Sequence, residues 1–125
     1  MNEVQKLKEA EEYYNLGNAY RKQGEHDQAI EAYNQAIKLN PDDVDAYNNL
    51  GNAYSDKEDY DKAIEAYNQA IKLDPNDADM HYNLGITYHT KGEYDRAIKA
   101  YKQAIKLNPD YANAHNNLWG VINHD

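Results

Sequence analysis

Histidines, clustered acids and thirteen tyrosines are the side chains of this 125-residue chain that invite a chemical reading. Their spacing decides what chemistry is open to them. The five histidines are His26, His81, His89, His115 and His124, and no two stand four residues apart, the interval that puts two ring nitrogens on one helical face for zinc. No cysteine is present to complete a metal site, form a disulfide or act as a nucleophile. Residues 40–45 and 74–79 gather aspartates, but Asp74, Asp77 and Asp79 lack the alternating ligands, central glycine and distal glutamate of a calcium-binding loop. Acids at such places suit helix N-termini instead. There is no phosphate-cradling glycine loop, no nucleophile elbow and no carboxylate pair set apart from the general acidity. An enzyme reading has nothing to stand on, and neither metal nor cofactor is expected.

The overall charge narrows the partners. It is −9 and unevenly spread: residues 1–43 hold nine acids against five bases, residues 44–77 eight against three, and residues 78–111 four against five. A phosphate backbone is bound by basic surface, so nucleic acid is not an expected partner. The one basic run, Arg96, Lys99, Lys102 and Lys106, falls along the outer face of a single helix and reads as solvated surface. The opening residues carry no apolar signal core, and no run approaches the roughly 18 apolar residues of a membrane span. A soluble, cytoplasmic protein with no membrane contact is expected. Its mean hydropathy of −1.10 is low, but the apolar residues sit in helical stripes, so order is expected throughout.

Those stripes come from one unit written three times. The stretch Val44–Asp77 has near copies 34 residues before and after it, which places Pro41, Pro75 and Pro109 at equal intervals. Within it Tyr47, Leu50, Gly51 and Tyr54 fall at i, i+3, i+4 and i+7, and Ala63, Ile64, Tyr67, Ala70 and Ile71 repeat the pattern. Each set is one face of an α-helix, and the two helices hinge near residues 55–60. Pro75 has no amide proton to donate and clashes with the preceding turn, which ends the second helix near Leu73. Asp61 and Asp77 stand where helix starts are expected. The second helices should run about 27–39, 61–73 and 95–107, each too short to be stable alone in water. Their stability must come from stacking on neighbours.

These residues also carry a family resemblance. Tyr13, Leu16, Gly17, Tyr20, then Tyr47, Leu50, Gly51, Tyr54, then His81, Leu84, Gly85, Tyr88 are similar to the aromatic-x-x-Leu-Gly-x-x-Tyr half of a tetratricopeptide repeat. Ala29 and Tyr33, Ala63 and Tyr67, and Ala97 and Tyr101, each followed by an alanine and the proline, resemble its second half. The resemblance implies an all-α, right-handed solenoid of antiparallel helix hairpins with about seven helices. It is expected to form one array over residues 1–125, with repeats at about 10–43, 44–77 and 78–111 and a capping helix at 112–122. It further implies that Gly17, Gly51 and Gly85 let each first helix press against the small alanine opening the second. Residues 2–9 read as an extension of the first helix, which should end near Lys22. Gly24 and Gly92 supply the left-handed residue at a helix C-terminus, and Glu58 stands at the same place in the middle unit. Trp119 replaces the close-packing glycine of a fourth copy and is expected to cover the apolar surface a following helix would have covered. Truncation of a longer array is the alternative.

In the family the first helices line a concave groove for peptides. By repeat phase that groove would hold Glu11, Tyr14, Asn18 and Arg21, then Asp45, Asn48, Asn49, Asn52 and Ser55, then Asp79, Tyr82, Asn83, Ile86 and His89, with Asn113 and Asn116 beyond. Asparagine is a poorer helix former than the lysine and glutamate usual on solvated faces, so this amide strip, which includes Asn117, is a hint of function. His81 and His115 occupy the place of Tyr13 and Tyr47 and read as packing substitutes; His26 marks a hairpin turn, and His89 falls on an open face. Family members that grip a C-terminal carboxylate use three bases and two asparagines. Asn18 and Asn49 match the amides, but Tyr14, Asp79 and Asn83 hold the basic places. A protein or peptide partner that is neutral or basic is therefore expected. Two alternatives stand beside this: self-association through the array ends, and an engineered scaffold with no evolved ligand, against which the unequal units argue.

Overall fold

The protein is described over residues 1–123 by a computed structural model. His124, expected in the tail, lies outside the described residues. Seven helices occupy them: α1 (Glu3–Lys22), α2 (His26–Leu39), α3 (Val44–Asp56), α4 (Tyr60–Leu73), α5 (Ala78–Lys91), α6 (Tyr94–Leu107) and α7 (Ala112–Ile122). They pack as sequential hairpins in two compact units, Met1–Leu73 with α1 to α4 and Asp74–Asp125 with α5 to α7.

Local chemistry sets the helix ends. The Asn2 side chain accepts from the Gln5 amide at 2.9 Å while the Gln5 side chain takes the Asn2 amide, a reciprocal cap that starts α1. Asp43 caps α3 through the Ala46 amide at 3.1 Å, and Asp77 caps α5 through the Asp79 amide at 2.9 Å. The loop aspartates thus have helix-start roles. Each second helix begins one residue earlier than the sequence pattern indicates, at His26, Tyr60 and Tyr94. Asp61 is consequently not a cap but a first-turn residue, where its charge faces the positive end of the helix dipole. The carbonyl of Asp59 instead accepts the Ala63 amide at 3.0 Å. At the hairpin turns Gly24 and Gly92 have φ of 75° and 83°, and Glu58 shares their left-handed conformation at φ 66°.

In the first unit α1 pairs with α2, α3 pairs with α4, and α2 also lies on α3. Ala29, Tyr33, Leu50, Ala53 and Ala66 form the buried cluster, flanked by Ile30, Ile37, Tyr14, Tyr20 and Tyr54. The second unit repeats this with Ala97, Tyr101 and Val121 beneath Tyr82, Ile98 and Leu118 as α7 packs on α6. The mid-helix glycines are indeed places of close approach, but the neighbour is a tyrosine ring rather than the opening alanine. A Cβ on Gly17, Gly51 or Gly85 would lie 2.6, 2.5 or 2.7 Å from the ring of Tyr33, Tyr67 or Tyr101. Trp119 departs from expectation more sharply. It is 70% exposed and covers no core, and Val121, 1% exposed, seals that part of the unit instead. The residue at the glycine phase points toward a following second helix, and among the described residues α7 has none.

Candidate functional site

On the first unit the first helices α1 and α3 carry an open polar face. Glu11 and Asp45 are exposed on it, and Tyr14, Asn18, Arg21, Asn48, Asn49, Asn52 and Ser55 are half-buried. A chain of hydrogen bonds organises the amides. Asn49 Nδ2 donates to the Tyr14 hydroxyl and to Asn18 Oδ1, both at 3.0 Å, and Asn52 Nδ2 donates to Asn49 Oδ1 at 3.2 Å. Beneath them the Tyr33 hydroxyl donates to Asn18 Oδ1 and the Tyr67 hydroxyl to Asn52 Oδ1, each at 2.5 Å. A tyrosine buried by helix packing must place its O–H somewhere, and the asparagine 15 residues before it in sequence is the acceptor. Asn18, Asn49 and Asn52 therefore have a structural reason: together they satisfy core tyrosines and tie α3 to α1.

Burial pushes the Tyr33 phenol up to about 12, and it raises Tyr67 as well. Both remain neutral donors at physiological pH. At one end of the face Arg21 Nε donates to Asp56 Oδ2 at 2.8 Å. Asn18, Arg21, Tyr33, Asn49 and Asp56 line a cleft of about 460 Å³ there.

The second unit presents α5 and α7 in the same way, with different chemistry. Asp79 and Ile86 are exposed, Tyr82, Asn83 and His89 are half-buried, and Asn113 and Asn116 are exposed on α7. Asn117 Nδ2 donates to the Tyr82 hydroxyl at 3.1 Å, the same bond that Asn49 makes to Tyr14. Ile86 stands at the phase of Asn18 and Asn52 and cannot accept a proton, so the Tyr101 hydroxyl turns to His89 Nδ1, 3.5 Å away. His89 is thus not free on an open face. It lies edge-on against the rings of Tyr94 and Tyr101, with centroids 5.8 and 6.4 Å away. Tyr82 stacks obliquely on Tyr111 at 4.9 Å, and the Tyr111 hydroxyl donates to Asp79 Oδ1 at 2.6 Å. Burial raises the Tyr101 phenol to about 12; burial followed by the Asp79 carboxylate raises Tyr111.

His81 and His115 hold loops. His81 Nε2 lies 3.0 Å from the Pro75 carbonyl and His115 Nε2 2.8 Å from that of Pro109, which replaces the expected apolar packing with a hydrogen bond. No cluster of three or more metal-ligating side chains occurs among the described residues. Arg96, Lys99, Lys102 and Lys106 are exposed on α6, as the basic run indicates. No helix among the described residues is long and apolar enough to cross a membrane. Tyr33, Tyr67 and Asp56 on the first unit and Tyr101 on the second are parts of these faces that the sequence pattern places in the core or in a turn, and Tyr111 is one that it places at the start of the capping helix. The constant 15-residue interval from Asn18 to Tyr33 and from Asn52 to Tyr67 is the signal that reveals Tyr33 and Tyr67.

Seven helices in sequential hairpins among the described residues, with polar first helices over tyrosine-filled second helices, define a helical-repeat protein. The tetratricopeptide repeat profile matches residues 14–78 and 48–112, and the chain belongs to that family. The first TPR of Spaghetti (RPAP3), solved bound to the HSP90 peptide SRMEEVD, superposes with a TM-score of 0.88 at 24% identity, over 93% of this chain and 92% of that one. The Arabidopsis OM64 TPR domain gives 0.89 at 22% identity, over 96% and 99%. MamA gives 0.86 at 32% identity over 90% of this chain, which spans 66% of MamA's length. Comparison with curated proteins finds no match. Tetratricopeptide repeat domains are in general protein–protein interaction modules and typically non-catalytic.

Proposed function

We propose that this protein binds extended, neutral or basic segments of partner proteins on its first helices, on the α1/α3 face of the first unit and, taken by itself, on the α5/α7 face of the second. The observation that carries this reading is the fixed array of amides and phenols on α1 and α3, in which Asn49 is locked between Tyr14, Asn18 and Asn52. Side chains already held in one geometry lose little entropy when a ligand arrives. Tyr14 and Tyr82 offer flat apolar area with a polar tip, and exposed Ile86 adds a purely apolar contact.

Charge supports the choice of ligand. Glu11, Asp45 and Asp79 are exposed on these faces. The relative solved with SRMEEVD carries an acidic peptide. The basic places that family members use for a terminal carboxylate are Tyr14, Asp79 and Asn83 here, and the two matching amides are engaged with each other and with Tyr33. Micromolar affinity, on the order of −8 kcal/mol, is expected. Fluorescence anisotropy with labelled peptides of matched length and differing charge tests it. Lysine-containing peptides with amidated ends should bind at least about tenfold more tightly than acidic peptides with free carboxylates, and Asp45→Lys with Asp79→Lys should reverse the order. Equal affinities, or tighter binding of the acidic series by the parent chain, would refute this reading.

A further inference from the structure

We infer a second binding activity, separate from the first-helix faces: this protein associates with copies of itself head to tail, through the outer stripe of α7 on one copy and the open side of α1 and α2 on the next.

The receiving surface has a template inside the molecule. In the second repeat Leu50 is 6% exposed because α2 lays Ile30, Tyr33 and Ile37 against it. Leu16 is the same residue one period earlier, yet it is 42% exposed, since no helix among the described residues lies on that side of α1. Beside it Tyr13, Tyr20, Glu31 and Ala32 line a depression of about 340 Å³, and a second of about 650 Å³ follows α1 past Glu9 and Glu12. The surface is therefore one that this fold elsewhere covers with a helix bearing apolar side chains.

Helix α7 has the character of such a covering helix. A capping helix needs a polar outer face for solubility. Between Ala112 and Ile122 there is no Asp, Glu, Lys or Arg, and the outer stripe ends in Trp119 and Ile122, 70% and 56% exposed. A tryptophan so exposed on an uncharged helix is the residue type that anchors interfaces. Charge selects the orientation. Glu9, Glu12 and Glu31 border the receiving depressions, against Lys8 and the Met1 amino group. Helix α6, on which α7 packs, carries Arg96, Lys99, Lys102 and Lys106 against Asp95. An acidic border meeting a basic helix favours head to tail over head to head or tail to tail. A contact between two different surfaces closes as a ring or continues as a chain.

Sedimentation velocity of the full chain from about 10 µM to 1 mM, with two single variants and their mixture, tests the inference. The parent should rise in weight-average mass with concentration. Trp119→Glu removes the donor side and Leu16→Glu the receiving side; both positions are exposed, and far-UV circular dichroism confirms folding. Each variant alone should stay monomeric, with association weakened at least about tenfold. Mixed one to one they should form dimers and nothing larger, because each retains the half the other lacks. A parent monomeric up to 1 mM would overturn the inference, as would a Trp119→Glu variant that assembles like the parent. A mixture that stays monomeric would equally overturn it and leave those surfaces to a different protein. Peptide binding on the first helices should persist in both variants, which keeps the two activities distinguishable.

Discussion

At the scale of single residues, two positions show how backbone and packing decide. Glu58 takes φ 66° where Gly24 and Gly92 stand in the other turns. A side chain in that conformation costs on the order of 1 kcal/mol. Glu58→Gly should therefore raise the melting temperature by a few degrees in a calorimetric scan; an unchanged or lowered midpoint contradicts the strain. Gly51 is the opposite case. Alanine there would gain up to about 1 kcal/mol of helix propensity, but its Cβ would sit 2.5 Å from the Tyr67 ring. Overpacking of that kind costs about 1–3 kcal/mol and wins. Gly51→Ala should lower stability in urea titration, whereas Gly120→Ala, with nothing within 4 Å of its Cβ, should raise it.

At the scale of elements, the second helices do more than fill space. Their tyrosines reach through the hairpin to satisfy the first helices, and the phenols must stay protonated to donate. Burial lifts Tyr33 and Tyr101 to about 12, above the ordinary value near 10. A group raised in the folded state lends stability that is complete below its unfolded pKa and is lost as pH climbs through its folded one. Urea midpoints should fall between pH 10 and 12 and drop less in Tyr33→Phe with Tyr101→Phe; midpoints constant across that window contradict the buried-donor assignment. Most of the elements were legible in the chain itself. The 34-residue period, the 3.6-residue stripes and the prolines give helix number and ends within a residue or so, and glycine phase marks the left-handed turns, Glu58 included. What was not legible depends on a second helix. Which part of the partner meets Gly51, whether Asp59 or Asp61 lies at the helix start, and that Trp119 stays exposed while Val121 is buried are settled by orientation across a hairpin, which periodicity within one helix does not encode. The asparagines were visible as a strip, but their bonds join residues 15 to 35 apart, so their structural duty emerged only with packing.

At the scale of the whole molecule, each unit uses apolar second helices to hold polar first helices in place, and the chemistry on offer is recognition. The α1/α3 face has amides fixed by buried phenols and a rim of acids, and the α5/α7 face has tyrosine rings and an exposed isoleucine, with no cluster of metal ligands among the described residues. The central claim is that partner segments lie on the first helices, α1 and α3 in one unit and α5 and α7 in the other. Amide chemical-shift mapping during titration with a binding, lysine-containing peptide tests this most directly. The account predicts shifts concentrated around Glu11–Arg21, Asp45–Ser55, Asp79–His89 and Asn113–Asn117, with α2, α4 and α6 quiet. Shifts confined to α2, α4 and α6, or none at saturating peptide, would contradict it.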